Sequence, residues 1–177
     1  MPELLEFDRH ALLAGQLWRL WTGHLVHYSM RHALIDFAVV LAAAVIVVHL
    51  SASPAAGMRR LLVALGLGAP FISLGMLLLA PHCLYYRGAS GIAAMLVVMA
   101  GGALWPRAAR STRAALLLMA ATLLAKICAE AAGADLGQQL GWSNLPADVV
   151  VAWQAHLLGV VAGAVALMAG KSRLQLD

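Results

Sequence analysis

Five apolar runs, each close to the length that crosses a lipid bilayer, limit what this chain can fold into. They run from about His32 to Leu50, Leu61 to Ala80, Gly88 to Trp105-Pro106, Ala114 to Ala132 and Val149 to Ala169. A helix needs roughly 20 apolar residues to span the hydrocarbon core, and only helices and closed barrels satisfy their backbone there. Composition agrees: of 177 residues, 63% are hydrophobic and 11% charged, against about a quarter charged in soluble domains. The expectation is an all-α, polytopic bundle with lipid as its main solvent and no second soluble domain. Ser51-Ala52-Ser53-Pro54 reads as a helix-breaking turn. The third run is the shortest and suits a helix that starts below the membrane surface, lining an enclosed cavity.

Charge between the runs sets an expected orientation. Arg59, Arg60, Arg107, Arg110, Arg113, Lys171 and Arg173 fall on one side, seven of the twelve basic residues. The other side has Arg87 and a long loop carrying Glu130, Asp135 and Asp148 without Lys or Arg. The positive-inside rule makes the first side cytoplasmic. The net charge of +4 is therefore topology signalling, and nucleic acid is not implied. Residues 1–31 then lie outside as an interfacial segment, with Trp18 and Trp21 as headgroup-level anchors. Residues 32–171 form the membrane core and 172–177 a cytoplasmic tail. Met1 to Arg31 does not read as a signal peptide. An outer N-terminus calls either for a first helix upstream of the given start or for unaided translocation.

Polar residues inside apolar runs are costly and therefore informative. His32 and Asp36 share one helix face at i,i+4 spacing. Gly88-Ala89-Ser90-Gly91 opens the third run, and His156 lies near the outer end of the fifth, followed by Gly159 and Gly163. The orientation puts His32, Asp36, Ser90 and His156 at similar depth. A serine becomes a nucleophile when a histidine takes its proton. Small residues on both helices permit the close approach such a pair requires. The N–H groups at a helix start beside Ser90 favour an oxyanion. Taken singly, the serine reads as a packing residue and the histidine as a structural hydrogen-bonder; the conjunction carries the functional reading. His24 and His27 read as structural or interfacial, and His49 and His82 carry no assigned role. Cys83 and Cys128 match no metal-ligand spacing and read as unpaired. No metal or organic cofactor is implied. A small transporter would want ionisable groups at mid-membrane depth and an internal repeat, and neither is evident.

These residues resemble the rhomboid intramembrane serine proteases. Gly88-Ala89-Ser90-Gly91 matches the family's GxSG motif, and His156 through Gly163 its AHxxGxxxG motif. Trp18-Arg19 matches the Trp-Arg pair of the first outer loop. Thr22-Gly23-His24 through His27 and His32 matches the histidine-rich entry to the second helix. On this alignment the five runs are family helices two to six. The stretches Glu3 to Arg9 and Gly15 to Leu20 look most like the rhombosortase branch.

The resemblance implies a serine endopeptidase with Ser90 as nucleophile and His156 as base, and no third carboxylate beside His156 is evident. It implies oxyanion roles for His32 and for position 36, motif and packing roles for Gly88, Gly91, Gly159 and Gly163, and structural loop roles for Trp18, Arg19 and His27. The branch implies a membrane-anchored substrate with a C-terminal Gly-Gly sorting tail and transmembrane helix, in a bacterial inner membrane, with the site opening toward the periplasm. The alternative is a weakly active or inactive rhomboid-like protein that binds and sorts membrane helices. One position departs from the pattern: rhomboids commonly have asparagine where Asp36 stands. An ionised carboxylate there would repel an oxyanion, a protonated one would donate to it, and a third possibility is that Asp36 pairs with a histidine.

Overall fold

The computed structural model describes residues 2–134 and 152–173. Asp135, Asp148, the start of the fifth expected run and the end of the tail lie outside the described residues. A short N-terminal module precedes the bundle: a 3-10 turn, Pro2–Leu4, then strand β1, Phe7–Asp8, and helices α1, Arg9–Leu13, and α2, Arg19–Thr22. The bundle consists of α3, Met30–His49; α4, Pro54–Leu79; α5, Ser90–Leu104; α6, Arg110–Ala131; and α7, Trp153–Arg173. Strand β2, Tyr85–Tyr86, lies between α4 and α5 and pairs antiparallel with β1, Phe7 opposite Tyr86. All five bundle helices are long and apolar enough to cross a membrane once the 3-10 turn at Trp105–Arg107 is counted with α5.

The boundaries have local causes. The Ser51–Pro54 turn ends in a helix start: the Ser53 side chain accepts from the Ala56 N–H and Pro54 fills the first helical position. That cap carries α4 back past Arg59 and Arg60, so the helix begins earlier than its apolar run. Ser29 caps α3 by accepting from the His32 N–H. Such caps satisfy N–H groups that have no partner within the helix.

Helix α5 is the centre of the bundle. Leu96, Met95 and Met99 are fully buried, and α5 packs most extensively on α7 and then on α3. Small residues make the α5–α7 contact possible. A Cβ on Gly91 would stand 2.9 Å from the Ala155 carbonyl oxygen, one on Gly159 2.1 Å from that of Gly91, and one on Gly163 2.6 Å from that of Met95. Backbone meets backbone along this seam, as expected from the small-residue pattern. Helix α6 is peripheral and leans chiefly on α7; its buried residues are Ile127 and Glu130, in its last two turns. Glu130 thus belongs to a helix and not to the following loop.

The N-terminal module is folded and pinned to α4. Pro70 sits inside α4 and lacks the N–H that would bond the carbonyl four residues back. That carbonyl belongs to Gly66, and it accepts from the Trp21 indole at 2.9 Å. Nearby, His24 Nε2 lies 3.2 Å from the Ala69 carbonyl and 3.1 Å from Ser73 Oγ, while the Ser73 hydroxyl donates to the Leu20 carbonyl at 2.9 Å. Arg19 is buried and donates to the Glu3 and Glu6 carbonyls at 2.8 and 2.7 Å and to Gln16 Oε1 at 2.8 Å. Trp18 Nε1 donates to the Leu4 carbonyl. Glu6 in turn pairs with Arg87 at 2.6 Å. Trp18 and Arg19 thereby close the module on itself, while Trp21 and His24 tie it to α4.

Candidate active site

The first turns of α3, α5 and α7 and the last turn of α6 meet at one end of the bundle. Ser90 is the first residue of α5 and is partly exposed; His156 is in the first turn of α7 and is buried. Each is next in sequence to a member of the Gly91–Ala155 backbone contact. The α5–α7 seam thus brings the two backbones together at the serine and the histidine. Among the described residues no hydrogen bond joins Ser90 Oγ to His156. The Ser90 side chain instead lies near the Tyr86 phenol. Tyr86 donates to the Gly88 carbonyl at 2.8 Å, and burial pushes its phenol up, so that it stays protonated.

The turn before Ser90 is shaped by Gly88. Its φ of +134° is one that side-chain-bearing residues rarely adopt. A Cβ there would stand 3.1 Å from His32 Cε1 and 3.5 Å from Asp36 Oδ2. His32 and Asp36 are therefore packed against the approach to Ser90. His27 joins them: its Nε2 is 3.2 Å from Asp36 Oδ2 and accepts from the Ala89 N–H at 3.2 Å. His32 Nε2 is 3.4 Å from the same Asp36 oxygen. Of the three possibilities for Asp36, the geometry bears on the third: the carboxyl group is set between two imidazoles.

Behind His156 stands a group that the sequence reading did not place there. His156 Nδ1 is 2.8 Å from Glu130 Oε2, and the other Glu130 oxygen pairs with Lys126 one turn earlier on α6. The expectation of no carboxylate beside His156 is corrected. The signal was present in the sequence. Lys126 and Glu130, four residues apart inside an apolar run, are a costly pair that lipid would not tolerate unpartnered.

Among the described residues a serine and a histidine are in hydrogen-bond contact at Ser73 and His24. Ser73 is fully buried and its proton is committed to the Leu20 carbonyl. It has no access for a substrate, and its geometry is that of a tie between α2 and α4. Burial lowers the His24 imidazole below its ordinary range, opposed by backbone groups of Ala69 and Gly88.

A model of the rhomboid domain matches residues 14–172. Comparison with curated proteins and with solved structures returned no match. The matched span takes in all five bundle helices, the Ser90 turn and the His156 helix, and the chain accordingly belongs to the rhomboid family, whose members are serine intramembrane proteases of multi-pass architecture.

Proposed function

We propose that the protein is an intramembrane serine endopeptidase that cleaves a membrane-anchored substrate, with Ser90 as nucleophile and His156 as general base. The observation that carries this reading is the backbone contact of Gly91 with Ala155 and Gly159, beside which Ser90 and His156 stand. In the proposed reaction the Ser90 hydroxyl gives its proton to His156 as Oγ bonds the substrate carbonyl carbon. His156 then protonates the amine as the carbon–nitrogen bond breaks. Water, deprotonated by His156, releases the acyl group. The N–H groups at the start of α5 and the His32 side chain favour the oxyanion. Among the described residues the buried His32 Nδ1 has no partner, which supports a donor role toward a bound substrate.

The substrate proposed is an exported protein with a C-terminal Gly-Gly tail, membrane helix and basic end, as the likeness of Glu3–Arg9 and Gly15–Leu20 to the rhombosortase branch suggests. The setting proposed is a bacterial inner membrane. Residues 1–31 lie at the periplasmic interface, 32–171 form the core and 172–177 a cytoplasmic tail, an orientation supported by the arginines at the far end of the bundle. The test is labelling of the purified protein by a serine-reactive fluorophosphonate, with cleavage of a Gly-Gly-tailed reporter in cells. Ser90→Ala and His156→Ala abolish both, whereas Ser73→Ala keeps them. Undiminished labelling in Ser90→Ala sinks the reading.

A second reading is a rhomboid-like protein that binds and sorts membrane helices without cleaving them. Two observations favour it: no hydrogen bond joins Ser90 to His156 among the described residues, and a carboxyl group stands at position 36. Under this reading the fluorophosphonate leaves wild-type protein unlabelled while the reporter still co-purifies with it.

A further inference from the structure

We infer that Glu130 is a positioning residue for His156, making the site a serine–histidine–glutamate triad; the inference rests on the protease reading above. The argument begins with where Glu130 is. Helix α6 presents most of its length to lipid, and its buried residues are Ile127 and Glu130. The Glu130 side chain is 2% exposed and that of His156 8%. A carboxylate so withdrawn from solvent is retained only with partners on its oxygens. Both oxygens have them: Lys126 on one, His156 Nδ1 at 2.8 Å on the other.

The donor and acceptor roles at His156 follow. Nδ1 has two neighbours, Glu130 Oε2 at 2.8 Å and Lys126 Nζ at 3.5 Å. The ammonium can only donate and the carboxylate can only accept. Were Lys126 the partner, Nδ1 would be bare, the proton would sit on Nε2, and His156 would be unable to take a proton from serine there. Distance decides for Glu130, because Lys126 is already held by the other carboxylate oxygen and 3.5 Å is long for a hydrogen bond. The proton is therefore assigned to Nδ1, which leaves the Nε2 lone pair as the base. The same carboxylate opposes the positive charge that His156 acquires when the Ser90 proton arrives, and it fixes the ring plane against rotation. Lys126 holds the other Glu130 oxygen, Oε1, which leaves Oε2 for Nδ1. Among the described residues, the charged groups in contact with the His156 ring are Glu130 and Lys126 on α6.

A purely structural role, tying α6 to α7, is the competing account, and an amide separates the two. Glu130→Gln keeps the length and a hydrogen bond to Nδ1. The donor-only Lys126 ammonium draws the amide oxygen to its side, however, so the amide N–H donates to Nδ1 and favours the proton on Nε2. We expect the maximal rate of Ser90 labelling by a fluorophosphonate to fall at least thirtyfold in Glu130→Gln. The half-saturating probe concentration and the thermal unfolding midpoint should stay near wild type. Glu130→Asp should recover at least threefold over the glutamine variant. Labelling of Glu130→Gln within threefold of wild type, with Ser90→Ala silent, overturns the triad and leaves the protease reading intact. Labelling of Ser90→Ala sinks the protease reading itself. Should Glu130→Gln fail to fold, nitrogen NMR of isotope-labelled histidine in the wild-type protein decides, with His156→Gln assigning the signal. Protonated Nδ1 on His156 upholds the inference, and protonated Nε2 overturns it.

Discussion

Gly159 meets Gly91 so closely that a methyl group on Gly159 would stand 2.1 Å from the Gly91 carbonyl oxygen. The atom in the way is backbone in the middle of the central helix, so it cannot swing aside as a side chain would. The α5–α7 seam, and with it the relation of Ser90 to His156, depends on the absence of that methyl.

Gly159→Ala is expected to destabilise the protein by about 3 kcal/mol, the upper part of the usual overpacking range, and to abolish fluorophosphonate labelling even where protein remains folded. Gly66→Ala is the matched control. It lies on α4 with nothing within 4 Å of the added Cβ, and it should shift the unfolding midpoint by less than about 1 kcal/mol equivalent. Equal effects of the two substitutions would contradict the close-contact account.

Asp36 is set between His27 and His32 beside Gly88. An amide at this position supplies an N–H and removes a charge of the wrong sign for an oxyanion. Asp36→Asn is therefore expected to raise the labelling rate by about threefold, a gain of roughly 0.7 kcal/mol in transition-state binding. A tenfold fall would instead mean that the carboxylate serves the two histidines and that their arrangement outweighs its charge.

Trp21 donates to the carbonyl that Pro70 leaves without its helical partner. Trp21→Phe keeps an aromatic ring and removes the donor. A loss of about 1 kcal/mol is expected, read as a lower unfolding midpoint in detergent. In a Pro70→Ala background the helix satisfies its own carbonyl, and the same substitution should then cost less. An unchanged cost would rule out the coupling.

His24 is buried with its imidazole lowered from the ordinary value of 6.5. The unfolded chain therefore takes up a proton at about that pH while the folded protein does not. Stability from this group is complete above 6.5 and falls as pH drops below it toward the lowered folded value, by at most about 1.4 kcal/mol per pH unit. Unfolding measured at pH 7.5 and at pH 5.5 should show the acid loss in wild type and a smaller one in His24→Asn. Identical differences in the two proteins would assign the effect to other groups.

What the sequence determined by itself is what depends on one helix at a time. The five spans, the capped turn at Ser53-Pro54, the small residues of α5 and α7, and the position of Ser90 and His156 near helix starts all follow from local spacing and from the cost of polar groups in lipid. Even there, caps moved boundaries: α4 begins at Pro54 because Ser53 and Pro54 fit a helix start, although the apolar run begins later. Only the tertiary structure decided which helix faces touch. Glu130 reads from sequence as a residue of the loop after the fourth run; the tertiary structure keeps it in α6, leans that helix on α7 and turns the carboxylate onto His156. Asp36 had three possible roles until the Gly88 turn packed it against His27 and His32. Trp21 read as a headgroup anchor until Pro70 left the Gly66 carbonyl in need of a donor. A helix sequence sets the period of its faces, but its rotation and neighbours are set by packing among all five helices, and those decide which buried polar atoms find partners.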